Sequence, residues 1–245
     1  SINLKNNNKN NSLINNKNFF ELLKKNCLQS NTNKVLEIGA GCGILASLII
    51  NHYFLKYFII DIPNMIINSS SYLMTIFPDK KFCLPNEIKN SNDFIENDII
   101  FLLPSQKNLL EENFFDLGIN NQSFQEMDLY EVENYFNLIK KTLNYDSFFF
   151  TSNRLRKETY FFDYPWYILD NFEIKLFNKN KFHSTYKNNI TYFDKILLKK
   201  NTKKKLYNLN LFKKILLKNS YSLSERLFWL KKDIKKLIRK YIIFW

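Results

Sequence analysis

Glycine is scarce in this chain of 245 residues: there are four, beside five prolines and three cysteines. So few turn-formers exclude a collagen-like or Gly/Pro-rich low-complexity protein. Cys27, Cys42 and Cys83 are odd in number and lack CxxC or Cys/His spacing. That pattern argues against a disulfide framework or a structural zinc site and fits reduced thiols in a cytoplasmic protein. No apolar run approaches the roughly 18 residues that a bilayer-spanning helix requires; the longest candidates are Ile44–Ile50 and Ile99–Leu103. The opening Ser1-Ile2-Asn3-Leu4-Lys5 has no apolar core of a secretion signal. What is present is an ordinary 45% of hydrophobic residues and 24% charged ones, enough for one domain plus an appendage.

The formal charge of +13 suggests nucleic acid until it is located along the chain. Residues 1–200 carry 23 Lys and Arg against 21 Asp and Glu, whereas residues 201–245 carry 13 against 2. The basicity belongs to the tail. Three segments follow: an Asn-rich leader with a first helix over 1–30, a near-neutral main domain over 31–200 and a basic helical tail over 201–245. Nine of the first 18 residues are asparagine, a composition with too little apolar surface to offset ordering, so the leader is expected to be loose before a helix near Leu13–Leu28.

Across the body, apolar strand-like runs alternate with helical periodicity. Lys34–Ile38, Tyr57–Asp61, Ile99–Leu103, Phe114–Asn120 and Ser147–Thr151 read as strands, with a weaker one at Phe82–Leu84. Ile44–Tyr53, Pro63–Phe77 and Met127–Leu143 read as the helices between them, Pro63 standing at the favoured first turn. Phe172–Phe177 and Ile190–Leu198 have no convincing helix between them and predict an antiparallel hairpin. Alternation of this kind predicts an α/β, doubly wound sheet, mostly parallel, with its ligand crevice at the carboxyl ends of the strands.

Three of the four glycines fall in one turn, Glu37-Ile38-Gly39-Ala40-Gly41-Cys42-Gly43, between the first strand and its helix. Glycine is required where backbone bends tightly and approaches a ligand with no Cβ in the way. A dinucleotide fingerprint would place its third glycine at Ile44, one residue later. Asp61 ends the second strand 22 residues after Gly39, where a carboxylate can accept hydrogen bonds from both hydroxyls of a ribose. The alternative for the turn is a purely structural bend, and for Asp61 a cap.

The glycine spacing with Glu37 before it resembles motif I of the class I S-adenosylmethionine-dependent methyltransferases. Asp61-Ile62-Pro63-Asn64 resembles the Asp-Leu-Pro of small-molecule O-methyltransferases. Asn120-Asn121-Gln122-Ser123-Phe124-Gln125-Glu126-Met127 resembles the Asn-x-x-Ser-Phe-Gln-Glu-Met string of a family of sugar O-methyltransferases. The resemblance covers residues 33–155, through Thr151-Ser152-Asn153-Arg154. It implies a Rossmann-like methyltransferase fold with S-adenosyl-L-methionine as cofactor and a sugar or glycan hydroxyl as acceptor. The residues it implies for the cofactor are Glu37, Gly39, Ala40, Gly41, Gly43, Asp61, Pro63, Asn120 and Asn121. Ser123, Gln125 and Asn153 would hold the acceptor, the last two as paired donors and acceptors for hydroxyls. Polar residues from Ser123 to Glu126 could equally cap the helix that follows.

A hydroxyl that attacks a methyl group must lose its proton, and the candidate bases are Glu126 and His183. Glu126 would need partial burial to bring its pKa toward the working pH. His52, on the helix after the glycine turn, reads as structural. No His/Asp/Glu cluster is dense enough to propose a metal.

In the tail, Leu223, Leu227, Leu230, Ile234, Leu237, Ile238 and Tyr241 recur at helical steps opposite Lys231, Lys232, Lys235, Lys236, Arg239 and Lys240. Residues 203–245 would suit an anionic membrane surface, keeping a cytoplasmic protein peripheral to it. The other covers for the stripe are the body itself or a second copy of the chain, as in a homodimer. An RNA methyltransferase gripping phosphates with the tail is one rival reading, disfavoured by the near-neutral body; a non-catalytic module that keeps the fold is another.

Overall fold

A computed structural model of the chain describes residues 2–154, 171–180 and 192–201. Eight strands form one sheet: β1 (Lys34–Ile38), β2 (Lys56–Ile60), β3 (Phe82–Cys83), β4 (Ile99–Leu102), β5 (Phe115–Asn121), β6 (Leu143–Arg154), β7 (Phe172–Lys179) and β8 (Tyr192–Lys199). Their order across the sheet is β3-β4-β2-β1-β5-β6-β8-β7. β1 to β6 run parallel, and β8 lies antiparallel between β6 and β7. The chain winds outward from β1 to β2 and β4, then returns to place β5 on the other side of β1. That reversal opens the crevice at the carboxyl ends of β1 and β5.

The strands are apolar on both faces because both are covered. Val35, Tyr57, Ile59, Phe101, Ile119 and Phe150 pack under α1 (Ile2–Asn26), α2 (Ile44–His52) and α3 (Pro63–Ile76). Leu36, Phe58, Ile100 and Phe149 face the other way, toward Phe124 and α4 (Leu129–Thr142). Each fully buried aliphatic or phenyl side chain contributes about 1.5–3 kcal/mol. The ends of α4 follow the usual rules: the Asp128 carboxylate accepts the Glu131 N–H at 2.9 Å, and Lys140 and Lys141 meet the negative end of the helix dipole.

The body follows the alternation in the sequence, and the late hairpin is present. The leader differs: helix α1 begins at Ile2 instead of near Leu13. Its anchor is the apolar face of Phe19, Phe20 and Leu23, buried against α2, and elongation from a fixed turn adds a hydrogen bond per residue even for asparagine. The basic tail over 203–245 and His183 lie outside the described residues. Among the described residues no helix is long and apolar enough to cross a membrane.

Candidate functional site

The glycine turn leaves β1 at the head of the crevice, and its glycines meet different surroundings. Gly39 (φ +75°) donates its N–H to the Ile60 carbonyl of β2 at 2.8 Å, and a Cβ on it would stand 2.1 Å from Ser123 Oγ. Gly41 (φ +57°) would direct a Cβ into open space, with no heavy atom within 4 Å. Both are backbone shapes that side chains rarely adopt. Gly43 caps α2 and lies against Ser69 and Leu73 of α3. Ala40 is half-buried, while Cys42 is exposed.

Asp61 follows β2 and folds back over the turn. Its Oδ2 accepts the Gly41 N–H at 3.0 Å and its Oδ1 the Ile62 N–H at 2.8 Å. Burial pushes its carboxyl above the ordinary aspartate range, and these two N–H groups restrain the rise. Two backbone bonds leave lone pairs on both oxygens for further donors. Ile62, 54% exposed, and the exposed Pro63 continue this rim into α3. Ile62 was not singled out from the sequence; its only signal there is an apolar residue between the strand-ending acid and the proline.

Glu37 lies on β1 with its side chain buried, and accepts the Tyr57 hydroxyl at 2.8 Å. Burial raises its carboxyl to about 7, against the Tyr57 hydrogen bond, and the nearby charge of Asp61 adds to the rise. Its hydrogen-bond partner belongs to β2 and not to the crevice.

The string after β5 closes the other side. Asn120 Nδ2 donates to the Ile38 carbonyl at 3.0 Å and to Ser123 Oγ at 2.5 Å, while Ser123 Oγ donates to the same carbonyl at 3.0 Å. Asn120 Oδ1 accepts from Asn153 Nδ2 at 2.7 Å, Asn153 Oδ1 accepts the Gln125 N–H at 3.2 Å, and Gln125 Oε1 accepts the Arg154 N–H at 3.1 Å. These bonds weld the carboxyl ends of β1, β5 and β6. Asn120, Gln125 and Asn153 are buried, so their polar atoms serve the frame. Ser123 packs where Gly39 has no Cβ, which makes the string the floor of the glycine turn. Glu126 stands on the exposed side of the short 3₁₀ turn Phe124–Glu126, without the partial burial expected of a base.

The structure therefore brings Gly39, Gly41, Asp61, Asn120 and Ser123 together at one crevice. It adds two residues that periodicity concealed, Ser152 and Asp194, level with Asn121 in the sheet. His52 is on α2 away from this end; its Nδ1 lies 2.8 Å from the Leu48 carbonyl and its ring packs on Phe20.

No family model and no curated protein matches the chain. Solved structures do. The [4+2]-cyclase SpnF aligns with a TM-score of 0.53 at 12% identity, over 75% of this chain and 80% of its own. A geranyl diphosphate C-methyltransferase from Streptomyces coelicolor, solved with Mg²⁺, geranyl diphosphate and S-adenosyl-L-homocysteine, aligns at 0.53 and 9% identity, over 75% and 77%. A geranyl diphosphate methyltransferase in complex with S-adenosylmethionine aligns at 0.52 and 8%, over 76% and 85%. The chain has the Rossmann-like methyltransferase fold. At these identities the likeness describes architecture, and function has to be argued from the site.

Proposed function

We propose that the protein is a methyltransferase that uses S-adenosyl-L-methionine to methylate a hydroxyl of a sugar or glycan. The observation that carries the reading is the open space beside Gly41 with the Asp61 carboxylate at its rim. A ligand backbone can approach there, and a carboxylate with spare lone pairs suits a ribose diol. The acceptor class rests on the resemblance of residues 120–127.

When bound, the cofactor supplies a methyl group on a sulfonium, so the acceptor oxygen gains a bond to carbon as the carbon–sulfur bond breaks with its electron pair going to sulfur. The chain's own work is alignment: the glycine turn and Asp61 fix one end, and the floor of Asn120 and Ser123 fixes the height of the turn above the sheet. Alignment of this kind can supply on the order of 7–11 kcal/mol. We assign the hydroxyl proton to the carboxylate of Glu126, exposed as it stands, an assignment that requires the bound acceptor to cover it.

Gly41→Asn keeps the backbone comfortable, since asparagine tolerates positive φ, and fills the open space. Calorimetry with S-adenosyl-L-homocysteine should show at least about a tenfold loss of affinity with the fold retained; unchanged affinity removes the pocket from this turn. In the same preparation Glu126→Gln should slow methylation of cell glycans, read as the gain of one CH₂ unit by mass spectrometry, and spare cofactor affinity. Normal turnover would exclude it as the base.

A further inference from the structure

Beyond the cofactor turn, a polar row crosses the sheet on the face covered by α1, α2 and α3. Asn121 of β5 pairs in register with Ser152 of β6, and Ser152 with Asp194 of β8. Strand alternation gives them one face, the face of Ile119, Phe150 and Ile196, two residues further toward the carboxyl ends of β5 and β6. Neighbouring strands lie about 4.8 Å apart, so the row runs about 9.6 Å from Asn121 to Asp194, and side chains reaching inward from both ends can meet hydroxyls on one sugar unit.

Two of the three are incompletely used. Asn121 Oδ1 and Ser152 Oγ are buried and make no hydrogen bond, and Ser152 is 0% exposed. Buried polar atoms without partners are rare in native proteins and concentrate where a ligand completes them. Burial pushes the Asp194 carboxyl above the ordinary aspartate range, and the polar groups of Ser152 and Asn180 beside it restrain the rise. Asp194, itself 8% exposed, accepts Asn180 Nδ2 on Oδ1 at 2.9 Å and on Oδ2 at 3.0 Å. A carboxylate has capacity beyond one amide group.

We infer that Asn121, Ser152 and Asp194 form the subsite that grips the acceptor, and that its ligand is an uncharged polyol. The chemistry of the row selects that class. An amide oxygen and a carboxylate ask for donors, and a serine hydroxyl gives or takes. Adjacent hydroxyls of a sugar ring satisfy all three, whereas a phosphate or carboxylate would meet two acceptors and be repelled. The inference rests on the methyltransferase reading, because the row is level with the turn: Asn121 lies two residues beyond Ile119, the partner of Glu37, and Gly39 lies two beyond Glu37.

The test uses the full chain saturated with S-adenosyl-L-homocysteine. Saturation-transfer NMR is run with three probes: methyl α-D-glucopyranoside, methyl α-D-mannopyranoside and glucose 1-phosphate. The result expected is that at least one methyl glycoside binds, that the phosphate does not, and that Ser152→Ala and Asp194→Asn each weaken the glycoside at least about tenfold without changing S-adenosyl-L-homocysteine affinity. Ser152 Oγ has no partner at ordinary hydrogen-bond distance, so Ser152→Ala should also melt no lower than the parent, and its loss of binding cannot be blamed on unfolding. Glycoside binding that survives both substitutions, preferential binding of the phosphate, or no glycoside binding in a parent saturated with S-adenosyl-L-homocysteine overturns the subsite. A parent that fails to bind S-adenosyl-L-homocysteine overturns the methyltransferase reading, and the subsite with it.

Discussion

The two halves of the sheet handle their carboxyl ends in opposite ways. In the β4-β2-β1 half the strands, after the opening Lys34 and Lys56, are apolar to their last residue, Glu37 and its Tyr57 partner excepted, and the working groups lie just past the strands, in backbone and in Asp61. In the β5-β6-β8 half the polar groups lie within the strands: Asn120, Thr151, Ser152, Asn153, Asp194 and Lys195 are all buried. The first half presents a shape and the second a lattice of donors and acceptors. A cofactor common to many reactions asks for the former, and acceptor choice asks for the latter, since rejecting a wrong ligand depends on leaving buried polar groups unpaired.

The halves touch at Gly39 and Ser123, and the largest effect should come from disturbing that contact. Gly39→Ala forces an alanine into positive φ and drives Ser123 off the Ile38 carbonyl, at a combined cost of about 4 kcal/mol. Urea denaturation would measure it. Adding Ser123→Gly should recover the steric share and leave only about 1–2 kcal/mol of backbone strain. A silent Gly39→Ala would mean that the halves are independent.

A second break is specific to the glycine half. Glu37, raised from 4.5 to about 7, holds a proton in the folded chain over a window in which the unfolded chain has released it. The folded state then binds more protons than the unfolded one, so this group's contribution to stability is fully present below 4.5 and is lost as pH rises toward about 7. Glu37→Gln removes that slope. Parent and variant stabilities, followed by denaturant titration across the window, should diverge by on the order of 3 kcal/mol in the variant's favour as pH rises. Parallel curves would show that Glu37 is not held protonated.

The glycine half was legible in the sequence because its signals are local. Gly39, Gly41 and Asp61 stand just past apolar runs, where a turn is expected, and the helix after Pro63 announces itself, whereas Glu37, inside β1, takes its partner from β2. The polar half was not, because its meaning comes from register. Ser152 and Asp194 are 42 residues apart and become neighbours only when β8 runs antiparallel to β6. Gln125 and Asn153 carry the donors and acceptors that a sugar needs, which is why they read as acceptor ligands; folding engages those atoms with each other and with backbone first. Glu126 has no sequence signal for exposure, since its neighbours Phe124 and Gln125 are buried.

The smallest effect sharpens the contrast within the polar half. Asn153 and Ser152 are adjacent on β6 but face opposite sides of the sheet, and only one of them is bonded. Asn153→Ala leaves Asn120 Oδ1 and the Gln125 N–H without partners inside the core, where each unpaired group costs roughly 1–3 kcal/mol. Some of that returns as the loop relaxes, so a net loss of about 2 kcal/mol is expected, read as a lower urea midpoint with an unchanged m-value. Ser152→Ala next to it should leave the midpoint in place. If the two substitutions cost the same, the buried polar atoms of this half are one structural network. If they separate as expected, stability resides on the Asn153 face, and the Ser152 face is held for something other than the fold.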